Sequence, residues 1–197
     1  ILQPKAGDTI FISGAAGAVG SVAAQLAKKR GCIVVGTAGS DEKIDWLRDT
    51  LKLDAVANYH GTDIGAFLAD NCPGGIDHYF DNVGGPTLDA AITAMKPRGK
   101  IAVVGAISQY NSENFCAGPG EFFKISEKGL TVVGLNVSMW YDRGKEAFAD
   151  IAQRLGSGEL IWEETVVHGL ENAPEAFVSL FSGNNRGKMV IALEPTA

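Results

Sequence analysis

The stretch "TIFISGAAGAVGSVAAQLAKKR" (9–30) runs from a block of β-branched and aromatic residues through a cluster of glycines into a helical periodicity. TIFIS (9–13) reads as a buried strand, and apolar Val19, Val22, Ala23, Leu26 and Ala27 recur at the i, i+3, i+4, i+7, i+8 spacing of one helix face over 19–30. Between them stand Gly14, Gly17 and Gly20 in a GxxGxxG order. A strand, a glycine turn and a helix in this order suit a dinucleotide diphosphate. The turn is sharp, bare backbone N–H groups must approach the phosphates, and the helix must pack closely on the strand. A tight turn that binds nothing has the same spacing, so the pattern leaves both readings open.

Outward from this stretch, strand and helix signals alternate. CIVVGT (32–37), AVANY (55–59), IDHYFDNV (76–83), KIAVVGA (100–106) and LTVVGLNV (130–137) read as strands. Helices are expected from Ser40-Asp41-Glu42 to about Leu51, from Asp63 to Ala69, and from about Pro86 to Met95. The alternation predicts a doubly wound α/β domain, a parallel sheet of six strands covered on both faces. After Trp140 the rhythm changes to a longer helix (142–155), then a strand (163–170), a helix (171–181) and a last strand (187–193), with no partner order legible in the pattern. The loosest region, SQYNSENFCAGPGEFF (108–123), reads as a long loop of the kind that carries function.

Composition narrows the partners. The 197 residues carry 17 Lys+Arg against 23 Asp+Glu, a net charge of −6, and the longest basic run is Lys28-Lys29-Arg30, which argues against nucleic acid and anionic membrane. Cys32, Cys72 and Cys116 are odd in number and widely spaced, fitting neither a disulfide framework nor a CxxC site, and a reducing cytoplasm is the expected location. No apolar run is long enough for a membrane span. The start ILQPKAGDT has no initiator Met and no signal-peptide layout, and leads us to expect a fragment or an excised domain. His60, His78 and His168 lie far apart and away from the cysteines, so no metal site is expected.

The segment after the second strand bears on the nucleotide. An NAD site of the usual kind takes an acidic residue at the end of that strand, to accept from the adenosine ribose. Here the sequence reads GTAGSDEK (36–43): Thr37 and Ala38 are uncharged, Asp41 and Glu42 sit in helix-capping positions, and Lys43 follows. The missing acid with a nearby cation favours NADP(H), although a solvated helix lysine is the plainer account of Lys43 taken alone.

At this point the residues resemble a known family. GAAGAVGSVAAQLAK, GTAGSDEK, NYH, YFDNVGG, GAISQYN, GLENAPEAF and GNNRGK together resemble the zinc-independent medium-chain dehydrogenases/reductases of the leukotriene B4 12-hydroxydehydrogenase, prostaglandin reductase and alkenal (curcumin) double-bond reductase group. The resemblance runs from Gly7 to about Ala192. It implies a Rossmann domain over 1–158 and a C-terminal strand-helix-strand segment, 159–197, of a kind shared with a GroES-like catalytic domain absent from this chain.

Carried over position by position, the resemblance implies that Gly17, Ala18, Val19 and Gly20 cradle the pyrophosphate of NADPH and that Lys43 and Tyr59 flank its 2′-phosphate. It also implies that Asn82, then Val104, Gly105, Ala106, Ile107 and Ser108, then Leu135 and Val137, line the path toward the nicotinamide, and that Asn185 bonds the cofactor from the last loop. Read without the family, Asn82 is as readily a strand-end turn residue before Gly84-Gly85, and Asn185, between Gly183 and Gly187, is better read as a plain hairpin turn. The segment NVSMWYD departs from the family, with Ser138 where a Tyr is often found and Tyr141 three residues on, which leaves the substrate end open.

The implied reaction is reduction of a carbon–carbon double bond conjugated to a carbonyl in an enone or alkenal, with hydride delivered to the β-carbon and charge developing on the carbonyl oxygen. Tyr110 is the expected catalytic donor to that oxyanion, or the proton source, against the alternative of a loop tyrosine that only packs. A zinc alcohol dehydrogenase and a non-catalytic NADPH-binding protein are the competing readings. GLTVVGLNVSMW (129–140), an apolar late strand, suggests a homodimer paired edge to edge.

Overall fold

The computed structural model describes residues 1–111 and 118–193. Its main sheet is built from β1 (Thr9–Ile12), β2 (Ile33–Ala38), β3 (Ala55–Asn58), β4 (Ile76–Asp81), β5 (Met95–Val103) and β6 (Thr131–Gly134). They lie in the order β3-β2-β1-β4-β5-β6, each parallel to its neighbour. Such a sheet has to be covered on both faces. Side chains alternate across it: Ile10, Ile12 and Val34 enter one core with Ala24, Ala27 and Leu47, while Phe11, Val35, Tyr79 and Ile101 enter the other with Leu68 and Ile92.

The helices follow from this division. α1 (Ala18–Lys29) and α2 (Asp41–Asp45) cover the first face, and α3 (Ile64–Asn71) and α4 (Gly85–Ala94) cover the second. Ser40 accepts from the Lys43 N–H and Asp63 from the Ala66 N–H, so both helices begin on side-chain caps. Strand order reverses between β1 and β4, and the loops at their carboxyl ends diverge there to leave a crevice.

The expected doubly wound sheet is present, with four local differences. The helix expected to reach about Leu51 is α2 followed by a π-helical turn, Trp46–Thr50, whose wider winding buries Trp46 and Leu47 together. β5 begins at Met95, ahead of the expected Lys100, through an irregular register beside Ile76 and His78. A short helix, α5 (Phe122–Glu127), starts at the end of the expected long loop. β6 stops at Gly134 because Asn136 turns the chain, accepting from the Ser138 N–H, into a 3-10 segment at Val137–Arg143.

Beyond this lie α6 (Gly144–Gly156), β7 (Glu164–His168), α7 (Ala173–Phe181) and β8 (Lys188–Ala192). β7 and β8 pair in parallel, apart from the main sheet, which supplies the partner order that the sequence pattern withheld. The Gln25 side chain fastens this extension to α1, donating to the Ile161 carbonyl at 3.0 Å and accepting from its N–H at 2.7 Å. Among the described residues no helix is long and apolar enough to cross a membrane.

Leu68 is the one side chain that α3 buries fully. Leu68→Ala is expected to lower the unfolding free energy by about 2–5 kcal/mol, read by denaturant titration, because the second core around it relaxes only partly into the cavity it leaves.

Candidate functional site

A cavity of about 800 Å³ opens in the crevice at the carboxyl ends of β1 and β4. Gly14, Gly17 and Gly20 form its floor at the start of α1. Gly20 must be glycine: a β-carbon there would stand 2.3 Å from the Gly14 carbonyl oxygen. Gly17, the N-cap, brings no capping side chain, so the first-turn N–H groups at Ala18, Val19 and Gly20 have no side-chain acceptor and line the cavity with the positive end of the helix dipole. A diphosphate fits this cradle by charge, by hydrogen-bonding character and by the absence of side chains.

Lys43 and Tyr59 stand at one side of the same cavity. The Lys43 ammonium donates to the Gly183 carbonyl at 2.5 Å, across from the chain's far end. Burial pushes Lys43 below its ordinary value; Glu42 opposes that shift and Arg186 adds to it. The Tyr59 hydroxyl lies against Gly39, where a β-carbon would meet it at 2.5 Å, and its ring packs on His60 with centroids 4.5 Å apart. No acidic side chain ends β2, whose last residue is the buried Ala38.

The wall on the β4 side is set by a buried network. Asp81 Oδ1 accepts from the Tyr79 hydroxyl at 2.6 Å, the Ser13 hydroxyl at 3.2 Å, and the Val83 and Gly84 N–H groups at 3.0 and 2.8 Å. Ser13 in turn accepts from the Asn82 N–H, and the Asn82 amide donates to the Ser13 carbonyl at 2.7 Å. Burial and the adjacent Asp81 push the Tyr79 hydroxyl well above its ordinary value, which keeps it a donor. The loops after β1 and β4, both facing the cavity, are thereby locked to one another.

Val104, Gly105, Ile107, Ser108 and Tyr110 complete that side. Ser108 donates to the Val83 carbonyl at 2.6 Å, and the exposed Tyr110 folds back so that its hydroxyl accepts from the Ala106 N–H at 3.1 Å. Asn185 lines the cavity from the last loop, its amide donating to the Gly187 carbonyl. The cavity therefore brings together most of the positions singled out in the sequence. Ala106, Leu135 and Val137 do not line it: Leu135 packs against the core and Val137 is exposed at the start of the 3-10 segment. Cys116 and the middle of the long loop lie outside the described residues.

The description of a protein-family model, zinc-binding dehydrogenase, matches residues 18–155. The chain belongs to the zinc-binding dehydrogenase family. It is 43% identical over 192 residues to the NADP(+)-dependent 2-alkenal reductase of Nicotiana tabacum, covering 97% of this chain and 56% of the relative. It is 42% identical over 190 residues to prostaglandin reductase 1 of Bos taurus, covering 95% of this chain and 57% of that one. The crystal structure of CurA from Vibrio vulnificus in complex with NADPH superposes with a TM-score of 0.92 at 38% identity, over 100% of this chain and 60% of CurA. The chain thus spans a little over half the length of these relatives, and the resemblance to the alkenal and prostaglandin reductase group stands. Although the family is described by zinc, no group of three or more His, Cys, Asp or Glu among the described residues could hold a metal ion.

Sequence reasoning missed three contributors. Gly183 meets Lys43 only because the extension folds back over α2. Leu180 and Phe181 of α7 reach the cavity for the same reason. The Ser13–Tyr79–Asp81 network joins β1 to β4, and its one linear trace was the YFD of YFDNVGG. Tyr79→Phe is expected to cost about 1–3 kcal/mol in denaturant unfolding, since it withdraws a donor from a buried carboxyl.

Proposed function

We propose that this chain is the cofactor-binding portion of an NADPH-dependent reductase acting on carbon–carbon double bonds conjugated to a ketone or aldehyde. Residues 1–158 form the NADP-binding domain and 159–197 a segment shared with a catalytic domain. One observation carries the reading: a single cavity has the uncapped N-terminus of α1 at its floor and the Lys43 ammonium with the Tyr59 hydroxyl at its side, while β2 ends without an acid. The names of the two reductases and the NADPH held by CurA support it.

When bound, NADPH supplies a hydride to the β-carbon of the substrate. In this reading the amides at Gly17, Ala18, Val19 and Gly20 hold the diphosphate, and Lys43 and Tyr59 hold the 2′-phosphate. Asn82, Val104, Gly105, Ile107, Ser108 and Asn185, which line the cavity, fix the remainder. The Tyr110 hydroxyl, free to donate while it accepts from the Ala106 N–H, meets the charge that grows on the carbonyl oxygen or delivers the proton that quenches it. The description of the family favours one alternative, a zinc alcohol dehydrogenase; stoichiometric zinc in the intact protein, with alcohol oxidation, would establish it.

The open edge of β6, where Thr131 and Val132 are exposed, is the surface proposed for a homodimer, to be checked by sedimentation across concentrations. The buried free thiols of Cys32 and Cys72 suit a cytoplasmic protein.

Calorimetric titration with NADPH and NADH tests the cofactor reading. Lys43→Ala is expected to weaken NADPH by roughly 10–100-fold and leave NADH nearly unchanged, as loss of a charge-assisted bond to phosphate requires. If neither dinucleotide binds, the reading is wrong. Tyr110→Phe in the intact enzyme is expected to lower the rate of enone reduction by about 10²–10³ with NADPH affinity retained. An unchanged rate removes Tyr110 from the chemistry.

A further inference from the structure

Lys43 carries a long flexible side chain whose ordering is costly in entropy. What orders it is the carbonyl of Gly183, in the loop between α7 and β8, at 2.5 Å from the ammonium. An ammonium has three donors, so one bond to Gly183 leaves two directed elsewhere. Gly183 has φ +66, and a β-carbon there would lie 3.8 Å from the Tyr59 hydroxyl and 3.9 Å from the Lys43 ammonium, so this backbone stands beside both groups.

The loop that carries Gly183 is held at its other end by Arg186. The guanidinium donates through Nε and Nη2 to Glu163 Oε1, at 2.9 and 2.5 Å, and through Nη1 to Glu42 Oε1 at 2.8 Å. It also lies over the Trp46 ring, 5.7 Å from the centroid. The Arg186 backbone is fixed as well: its N–H donates to the Thr165 hydroxyl and its carbonyl accepts from it, both at 3.0 Å. Glu42 and Trp46 flank Lys43 in sequence, and Glu163 and Thr165 belong to β7 and the residues just before it. One side chain therefore ties β7 and the last loop to the helical turn that presents Lys43.

We infer that Arg186 is a positioning residue for dinucleotide selectivity: by holding the last loop against α2 it keeps the Gly183 carbonyl on Lys43 and so aims the ammonium at the 2′-phosphate. This rests on the NADPH reading of the cavity. The Arg186 guanidinium is occupied by Glu163 and Glu42, so its influence on the 2′-phosphate runs through Lys43. The Glu163 partner is part-buried, at 28% side-chain exposure, and carries most of the tie, whereas Glu42 is 82% exposed and its pair is screened by solvent.

The test is a set of dissociation constants for NADPH and NADH measured on the full chain for the wild type, Arg186→Ala, Thr165→Val, Lys43→Ala and the double variant Arg186→Ala/Lys43→Ala. Arg186→Ala is expected to weaken NADPH by about 5–10-fold with NADH within about twofold, the size of one ordinary hydrogen bond, because Lys43 stays in place but is less well aimed. Thr165→Val removes the loop's anchor without touching any charge and is expected to move the NADPH:NADH ratio in the same direction, by about 3-fold. It decides the matter if Arg186→Ala does not fold. In the Lys43→Ala background the Arg186 substitution is expected to leave the ratio unchanged.

Equal weakening of both dinucleotides would make Arg186 a fold pin only, and overturn the inference. A loss of NADPH affinity that persists in the Lys43→Ala background would overturn it too, since Arg186 would then be acting directly on the phosphate. A Lys43-dependent NADPH preference that neither Arg186→Ala nor Thr165→Val disturbs sinks this inference alone. A wild-type chain indifferent to the 2′-phosphate sinks the cofactor reading and this inference with it.

Discussion

The first turn of α1 packs directly on the backbone of the turn before it. With a β-carbon at Gly20 only 2.3 Å from the Gly14 carbonyl and 2.9 Å from the Ala15 α-carbon, any side chain would push the helix off the sheet. That contact sets the angle at which α1 leaves β1. The angle in turn directs the first-turn amides into the crevice, brings Gln25 to Ile161, and sets Ala16 where its carbonyl accepts from the Gly187 N–H at 2.9 Å. The cradle and the docking of the C-terminal extension are two results of one missing side chain.

A second constraint operates at the switch point. The loops after β1 and β4 diverge because the strand order reverses between them, and diverging loops lose the ladder that would hold them in register. Ser13 and Asp81 replace that ladder with side-chain bonds: four donors converge on Asp81 Oδ1, while Oδ2 is buried without a partner among the described residues. A buried carboxyl is costly unless it is well bonded, which makes this network stiff once formed. Tyr79 is part of it and also stacks on Phe11 with ring centroids 4.9 Å apart, so the rigidity of the cavity wall is continuous with the packing of the core.

The C-terminal extension gives the cavity its last side. β7 and β8 form a separate two-stranded sheet, too small to be stable alone, and the bonds from Gln25, Ala16, Lys43 and Glu42 hold it to the nucleotide domain. Stability of the extension and shape of the cavity are consequently coupled. Whatever loosens residues 182–188 also loosens one wall of the site.

Local features were legible in the linear chain because they depend on neighbours in sequence. The alternation of TIFIS, CIVVGT and IDHYFD with helical spacing led to the six-stranded doubly wound sheet, since periodicities of two and 3.6 are properties of the backbone itself. Gly14, Gly17 and Gly20 were legible as a strand-to-helix turn for the same reason. Residues that meet across the fold were not: the bond from Lys43 to Gly183, the pin of Arg186 between Glu42 and Glu163, and the Ser13–Asp81 link join segments far apart in the chain. The π turn at Trp46–Thr50 was also set from outside, by burial of Trp46 and Leu47 against the core. The sequence by itself determined the kind of fold and the position of the glycine turn, because these rest on local backbone preference. Only the tertiary structure decided which side chains face the cavity together, because that depends on strand order and on how the extension folds back onto α1 and α2.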